Sequence, residues 1–337
     1  MAPSCAALAS ILLAVHGIDS IEAFSCSGGA RWFGPRKPHV ALAAAMEGGS
    51  GSRQLLHIAV PTTNVEKNAA FLSHACGMSV QRTDSIGSTF VGFGPEADGE
   101  HFALKLVPAT EDASPDDVLS GFSVAVADIQ AAMTAAKKAG GEVVRPVDNV
   151  TFPASLVPDE DVDAQKPWQL RAVVRDPYSN LEVEFVEHSK PLKAGHQTDA
   201  SLTHVTLNVM DLQDSLSYFT EGLGMTLHRQ RALLPVEPAM SAWLSYAPEE
   251  HGGTLLELRY TYGRTFGRNK ARTPKRTAVV SISVPDVDEV AVELTGIPRS
   301  ESIGAEEGVA LFPAKSPSKG LEVMVIDELH FLKQTLL

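Results

Sequence analysis

The chain has 337 residues, room for two domains on a prior of roughly 150 residues each, and 44% hydrophobic against 20% charged residues gives it the means to bury a core. Its 41 acidic and 28 basic residues leave a formal net charge of -13, which argues against nucleic acid or an anionic membrane surface as a partner. Of three cysteines, Cys5 and Cys26 precede the folded part, so Cys76 alone can form neither an internal disulfide nor a cysteine-rich zinc site.

Residues 6–15 are a short apolar run, too short to span a bilayer and similar to the h-region of a signal peptide, with a plausible cleavage point between Ala23 and Phe24. Residues 24–46 contain no acid but carry Arg31, Arg36 and Lys37, the composition of a transit peptide. Residues 1–50 are therefore expected to be a signal plus transit-like leader without a fold of its own. They resemble a bipartite leader into a plastid; the alternative is a plain secretory signal with a tail.

From residue 53 onward the chain repeats itself. Residues 55–82 (LLHIAVPTTNVEKNAAFLSHACGMSVQR) and 202–229 (LTHVTLNVMDLQDSLSYFTEGLGMTLHR) each read as strand, helix, glycine turn and strand, with His57 and His204 both 20 residues before a Gly-Met pair. In the second copy Val205, Leu207 and Val209 alternate with His204, Thr206 and Asn208, as in a strand with one polar face. Asn64 and Asp211 are suited to cap the helices that follow, and the second helix is expected over residues 212–222. Each copy runs on to a strand, FALKLV at 102–107 and TLLELRY at 254–260. A further strand-helix unit follows in each half, at 121–144 and 279–294, and each half closes on a strand, LEVEFVE at 181–187 and LEVMVID at 321–327. The expected organisation is a first module over 53–188, a linker at 189–200 and a second module over 201–335.

These phrases resemble the vicinal oxygen chelate (VOC) superfamily, and within it the two-module glyoxalase I (lactoylglutathione lyase) of plants and algae. The likeness rests on LLHIAV, the helix into GLGM, FVGFGPE at 90–96, LLELRYTYG at 255–263, RDPYSNLEVEFVE at 175–187 and VIDELHFLKQ at 325–334. It implies an α+β fold of four βαβββ units forming two paired cupped sheets. It also implies a divalent metal (Zn, Ni, Co or Fe) with one ligand from each unit, and glutathione as cosubstrate.

Carried onto this chain, one metal position would use His57, Lys105, Val279 and Met324. Lys and Val offer no lone pair there and Met is a soft donor, so this position is expected to be dead. The other would use His204, Glu257 and Glu184, with Gly121 where the family has a histidine. One His and two carboxylates suit such a metal with positions left open for substrate. Glu184 would also move the proton between adjacent carbons of the hemithioacetal of methylglyoxal. Glu182 shares a strand face with Glu184 and could exchange roles with it. An ionised Glu257 inside the apolar run TLLEL needs a cation, and Arg259, two residues on, is the metal's rival.

The family's arginine for a glutathione carboxylate is replaced by Asn208 or Pro61, and asparagine lacks the charge and the bidentate fork. Arg259, Asn208 and Lys275, the last within the basic stretch 264–276, are the remaining candidates for substrate contact; a basic run is more often a solvated loop. The acidic loop 146–167 is either a lid or an idle insertion. The leading expectation is a metal-dependent glyoxalase-I-like lyase acting on a small molecule in the plastid. Its rivals are a catalytically silent relative that binds a small ligand or protein partner in its cup, and a dioxygenase, which would want two His and one Glu. Two modules in one chain suggest a monomer with an internal pseudo-dimer interface.

Overall fold

A computed structural model describes residues 53–94, 102–109, 118–148, 168–188, 200–233, 237–248, 250, 253–263, 278–284, 309–313 and 321–327. The leader, most of the loop at 146–167, most of the linker, the basic stretch with Lys275, the helix expected before residue 294 and the tail beyond 327 lie outside them. Strand β1 (Gln54–Thr62), helix α1 (Val65–Cys76) and strands β2 (Ser79–Thr83), β3 (Thr89–Gly92) and β4 (Ala103–Pro108) make the first unit. Strand β5 (Leu119–Val126), helix α2 (Ile129–Lys138) and strands β6 (Glu142–Asp148), β7 (Trp168–Arg175) and β8 (Glu182–His188) make the second. The third has β9 (Ala200–Asn208), α3 (Leu212–Ser217) with a π-helical turn (Tyr218–Gly222), then β10 (Thr226–Ala232), β11 (Ala239–Ser245) and β12 (Leu255–Thr261). Strands β13 (Ala278–Val284), β14 (Val309–Pro313) and β15 (Leu321–Asp327) belong to the fourth.

The repeat shows in local chemistry as well as in order. The Asn64 side chain accepts from Lys67 N at 2.9 Å and the Asp211 side chain from Asp214 N at 3.0 Å, so each helix starts on a side-chain cap. The glycines that end the two helical segments, Gly77 (φ 77°) and Gly224 (φ 71°), occupy the left-handed region that a side chain would disfavour.

The strands form two mixed sheets rather than one per module. The seven-stranded sheet runs β14-β15-β13-β1-β4-β3-β2 and the eight-stranded sheet β10-β11-β12-β9-β5-β8-β7-β6. Units one and four thus share a sheet, joined antiparallel at β1 and β13; units two and three share the other, joined at β5 and β9. Within each unit the first and last strands pair in parallel, and neither sheet closes into a barrel. This is the expected α+β architecture of two cupped sheets.

Strand alternation decides what each cup contains. Val205, Leu207 and Val209 enter the apolar core with Leu212, Leu216 and Phe219, and Val183, Phe185, Phe122, Val124, Leu256 and Leu258 join the same core. The opposite faces of those four strands carry His204 and Thr206, Glu184, Gly121 and Ser123, and Glu257 and Arg259. The two modules thereby bring their polar faces together across the β5–β9 joint. Among the described residues, no helix is long and apolar enough to cross a membrane.

Candidate functional site

Centred on the β5–β9 joint of the eight-stranded sheet lies a cavity of about 40 Å³ bordered by Gly121, Arg171, Glu184, His204, Thr206 and Arg259. The His204 ring lines it. Nε2 stands 3.4 Å from Glu257 Oε2 and 3.7 Å from Glu184 Oε2. The Thr203 hydroxyl donates to the Ser123 carbonyl at 3.1 Å and lies 3.1 Å from His204 Nδ1. The other ring nitrogen, Nε2, faces the two carboxylates.

Each carboxylate is held by a guanidinium. Arg259 donates from Nε and Nη2 to Glu257 Oε1 at 3.1 and 3.0 Å, and from Nη2 to Oε2 at 3.0 Å. Thr206 adds its hydroxyl to Oε2 at 2.6 Å. Arg171 donates from Nε to Glu184 Oε1 at 2.6 Å, and its Nη2 contacts the same oxygen. The network extends outward through Glu237, whose Oε2 is 3.4 Å from Arg259 Nη1 and whose Oε1 accepts from Arg145 Nη2 at 3.1 Å. Arg145, Arg171 and Glu184 come from the first half of the chain, and His204, Glu237, Glu257 and Arg259 from the second.

The electrostatics follow from this pairing. Burial alone would raise the Glu257 carboxyl, but Arg259, His204 and the hydroxyls of Ser241 and Thr206 outweigh it and hold the group down at about 2. Burial opposes ionisation of Glu184 too, and Arg171, His204 and Arg259 reverse it, so its pKa is also depressed. For His204, burial lowers the pKa; the two carboxylates pull it up, Arg259 and Arg171 push it down, and the net shift is downward. The ring is therefore neutral near pH 7, with both glutamates ionised and both arginines charged.

Residues 54–185 and 201–312 match the Glyoxalase/Bleomycin resistance protein/Dioxygenase superfamily. The chain belongs to that superfamily. Its curated relatives include the "Putative lactoylglutathione lyase" of Brassica oleracea var. gemmifera, 26% identical over 221 residues, which are 63% of this chain and 68% of that protein. Another is the "Probable lactoylglutathione lyase, chloroplastic" of Arabidopsis thaliana, 39% identical over 62 residues, 18% of this chain and 17% of that protein. Among solved structures, glyoxalase I from Zea mays superimposes with a TM-score of 0.64 at 22% identity, over 84% of this chain and 95% of that one. At that identity the likeness speaks for the fold. In fold the chain is similar to glyoxalase I.

The residues present do not fit the metal that this family implies. His204, Glu184 and Glu257 do converge, yet among the described residues no group of three or more His, Cys, Asp or Glu side chains is disposed to hold an ion. Both Glu257 oxygens and one Glu184 oxygen accept from arginine, so the carboxylates already have their cations. The expected fourth position cannot be refilled either. A Cβ at Gly121 would lie 2.1 Å from the carbonyl oxygen of Glu182 on the neighbouring strand, so the backbone itself occupies the space of a side chain. The rival partner Arg259 is the group that holds Glu257. Arg259 is accordingly a member of the network, with the Glu257 and Glu237 carboxylates as its partners.

The structure separates the two glutamates of β8. Glu184 faces His204, while Glu182 lies nearer solvent with Arg175 Nη2 at 3.3 Å. Asn208 is buried next to Arg259 in strand register, and Lys275 lies outside the described residues. In the seven-stranded sheet, Lys105 stands on β4 where Glu257 stands on β12, its Nζ 3.2 Å from Asp84. His57 is buried there, edge-on to Phe90 with ring centroids 5.0 Å apart. Among the described residues this position offers no ligand set. Arg171, Arg145 and Glu237 were not anticipated from sequence. The available signal for Arg171 was a lone charge in the apolar strand LRAVV, which demands a buried partner as Glu257 does.

Proposed function

We propose that this glyoxalase-I-like chain binds a small ligand of mixed charge in the cup of its eight-stranded sheet, and does so without the family's metal-dependent isomerisation. The pairing of each candidate carboxylate with its own guanidinium carries this reading, because it neutralises the charge that would draw an ion and occupies three of the four carboxylate oxygens. The cavity of about 40 Å³ has room for only a few waters between those side chains. Of the charged groups around it, Arg145 and Glu182 are the more open, at 33% and 42% exposed. Arg145, shared with Glu237, and Glu182, shared with Arg175, present opposite charges to a ligand that has both a carboxylate and an ammonium group, such as glutathione. The acid-poor leader and the chloroplastic relative support a plastid setting, and two modules in one chain support a monomer.

A second reading is a lyase that uses a divalent metal to isomerise the glutathione hemithioacetal of methylglyoxal, with His204, Glu257 and Glu184 as its residues. It is favoured by Nε2 of His204 facing two carboxylate oxygens, and by the names of the relatives. The two readings part in one assay. The full chain, given methylglyoxal and glutathione with nickel, zinc or cobalt, is expected to form lactoylglutathione no faster than the mixture without protein. Titration calorimetry is expected to register glutathione binding that Arg145→Glu weakens at least tenfold. Metal-dependent turnover that Glu184→Gln abolishes would establish the lyase instead.

A further inference from the structure

We propose that Arg171 and Arg259 stand in for the divalent cation of the family's centre, and that Arg171 keeps a latent cation site of His204, Glu184 and Glu257 shut. The inference rests on the reading that the native chain holds no metal at this point. Two guanidiniums bring the same formal charge as one divalent ion, and they bring it to the same two carboxylates. A buried carboxylate pair needs such compensation, because an unpaired charge in the interior is strongly destabilising. Arginine supplies it with a planar fork that meets both oxygens of one carboxylate, as Nε and Nη2 of Arg259 do on Oε1 and Oε2 of Glu257.

The two arginines differ in what they leave behind. Arg259 sits two residues from Glu257 on the same strand and also reaches Glu237, so it belongs to a wider network. Arg171 sends both of its contacting nitrogens to a single oxygen, Oε1 of Glu184. Removing Arg171 would free Glu184 and leave one negative charge in excess beside a neutral imidazole. As they stand the three side chains are not disposed to hold an ion, but Nε2 lies only 3.4 and 3.7 Å from the two carboxylate oxygens, so the shift that loss of Arg171 permits would bring them onto one zinc, about 2 Å from each ligand. Three donors with open positions make a site that water can complete, so the closed backbone at Gly121 is no obstacle to binding.

Zinc titrations of the full chain test this by calorimetry and by thermal melting, for wild type and Arg171→Ala. The wild type is expected to show no saturable zinc binding and no shift in Tm. Arg171→Ala is expected to take up one equivalent, at least tenfold more tightly than wild type, with a rise in Tm, and to lose both on addition of His204→Ala. Should Arg171→Ala not fold, Arg171→Met keeps much of the apolar stem and gives the same comparison. Zinc affinity equal in wild type and variant would overturn the proposal, as would a folded Arg171 variant that gains none. Lactoylglutathione formation by the wild type would instead defeat the binding reading, whatever the variants do with zinc.

Discussion

Replacing Glu257 by alanine is expected to destabilise the folded chain by about 3 to 5 kcal/mol, the range for breaking a buried ion pair from one side. Glu257 is fully buried, and its loss takes away the partner of three Arg259 contacts and of the Thr206 hydroxyl. The magnitude comes from the arginine left behind more than from the attraction removed. The double variant Glu257→Leu, Arg259→Met is therefore expected to recover most of the loss, since apolar residues of similar size often replace a buried pair at little cost. Urea unfolding of the three proteins checks both statements. A pH series adds the sign. The folded-state pKa of Glu257 lies near 2, below its ordinary 4.5, so its contribution is complete above about 4.5 and is lost as pH falls toward 2. The stability gap between wild type and Glu257→Gln should narrow over that interval and stay constant from pH 5 to 7.

Gly121→Ala is expected to cost about 3 kcal/mol, at the upper end of the range for overpacking. The added Cβ would meet backbone atoms of Glu182 at 2.1, 2.9 and 3.2 Å, none of which can rotate away. β5 would have to part from β8 close to the bulge where its pairing with β9 already shifts. Gly253→Ala is the control, because nothing lies within 4 Å of a Cβ there and the change should be near neutral. The comparison bears on function as well as stability. A histidine at position 121 would carry the same Cβ, so restoring the family's residue there is expected to disrupt the joint rather than complete a ligand set.

The fold was legible because its signals are local and repeated. The Gly-Met pairs, the caps Asn64 and Asp211, and the alternation in β9 each follow from backbone and side-chain rules that act over a few residues. The meeting of His204, Glu257 and Glu184 in one cup was legible only through the family resemblance, since they come from three strands and both halves of the chain. What escaped was their neighbourhood. Arg171 is 13 residues from Glu184 in sequence and opposes it only because β7 and β8 pair antiparallel, with Val173 opposite Glu184. Glu237 and Arg145 are 92 residues apart and meet only once the two modules share a sheet. The tight contact at Gly121 depends on strand spacing, which no residue pattern encodes. Arg259 was the exception, since its place two residues from Glu257 put it on the same strand face.

The metal content of the full chain, paired with thermal melts with and without EDTA, bears most directly on the idea that arginine has replaced the ion at this centre. Far less than one equivalent of zinc, nickel, cobalt or iron per chain is expected, with a Tm that EDTA does not change. One equivalent of metal per chain, removed by EDTA with a fall in Tm and retained less well by Glu257→Ala, would contradict it.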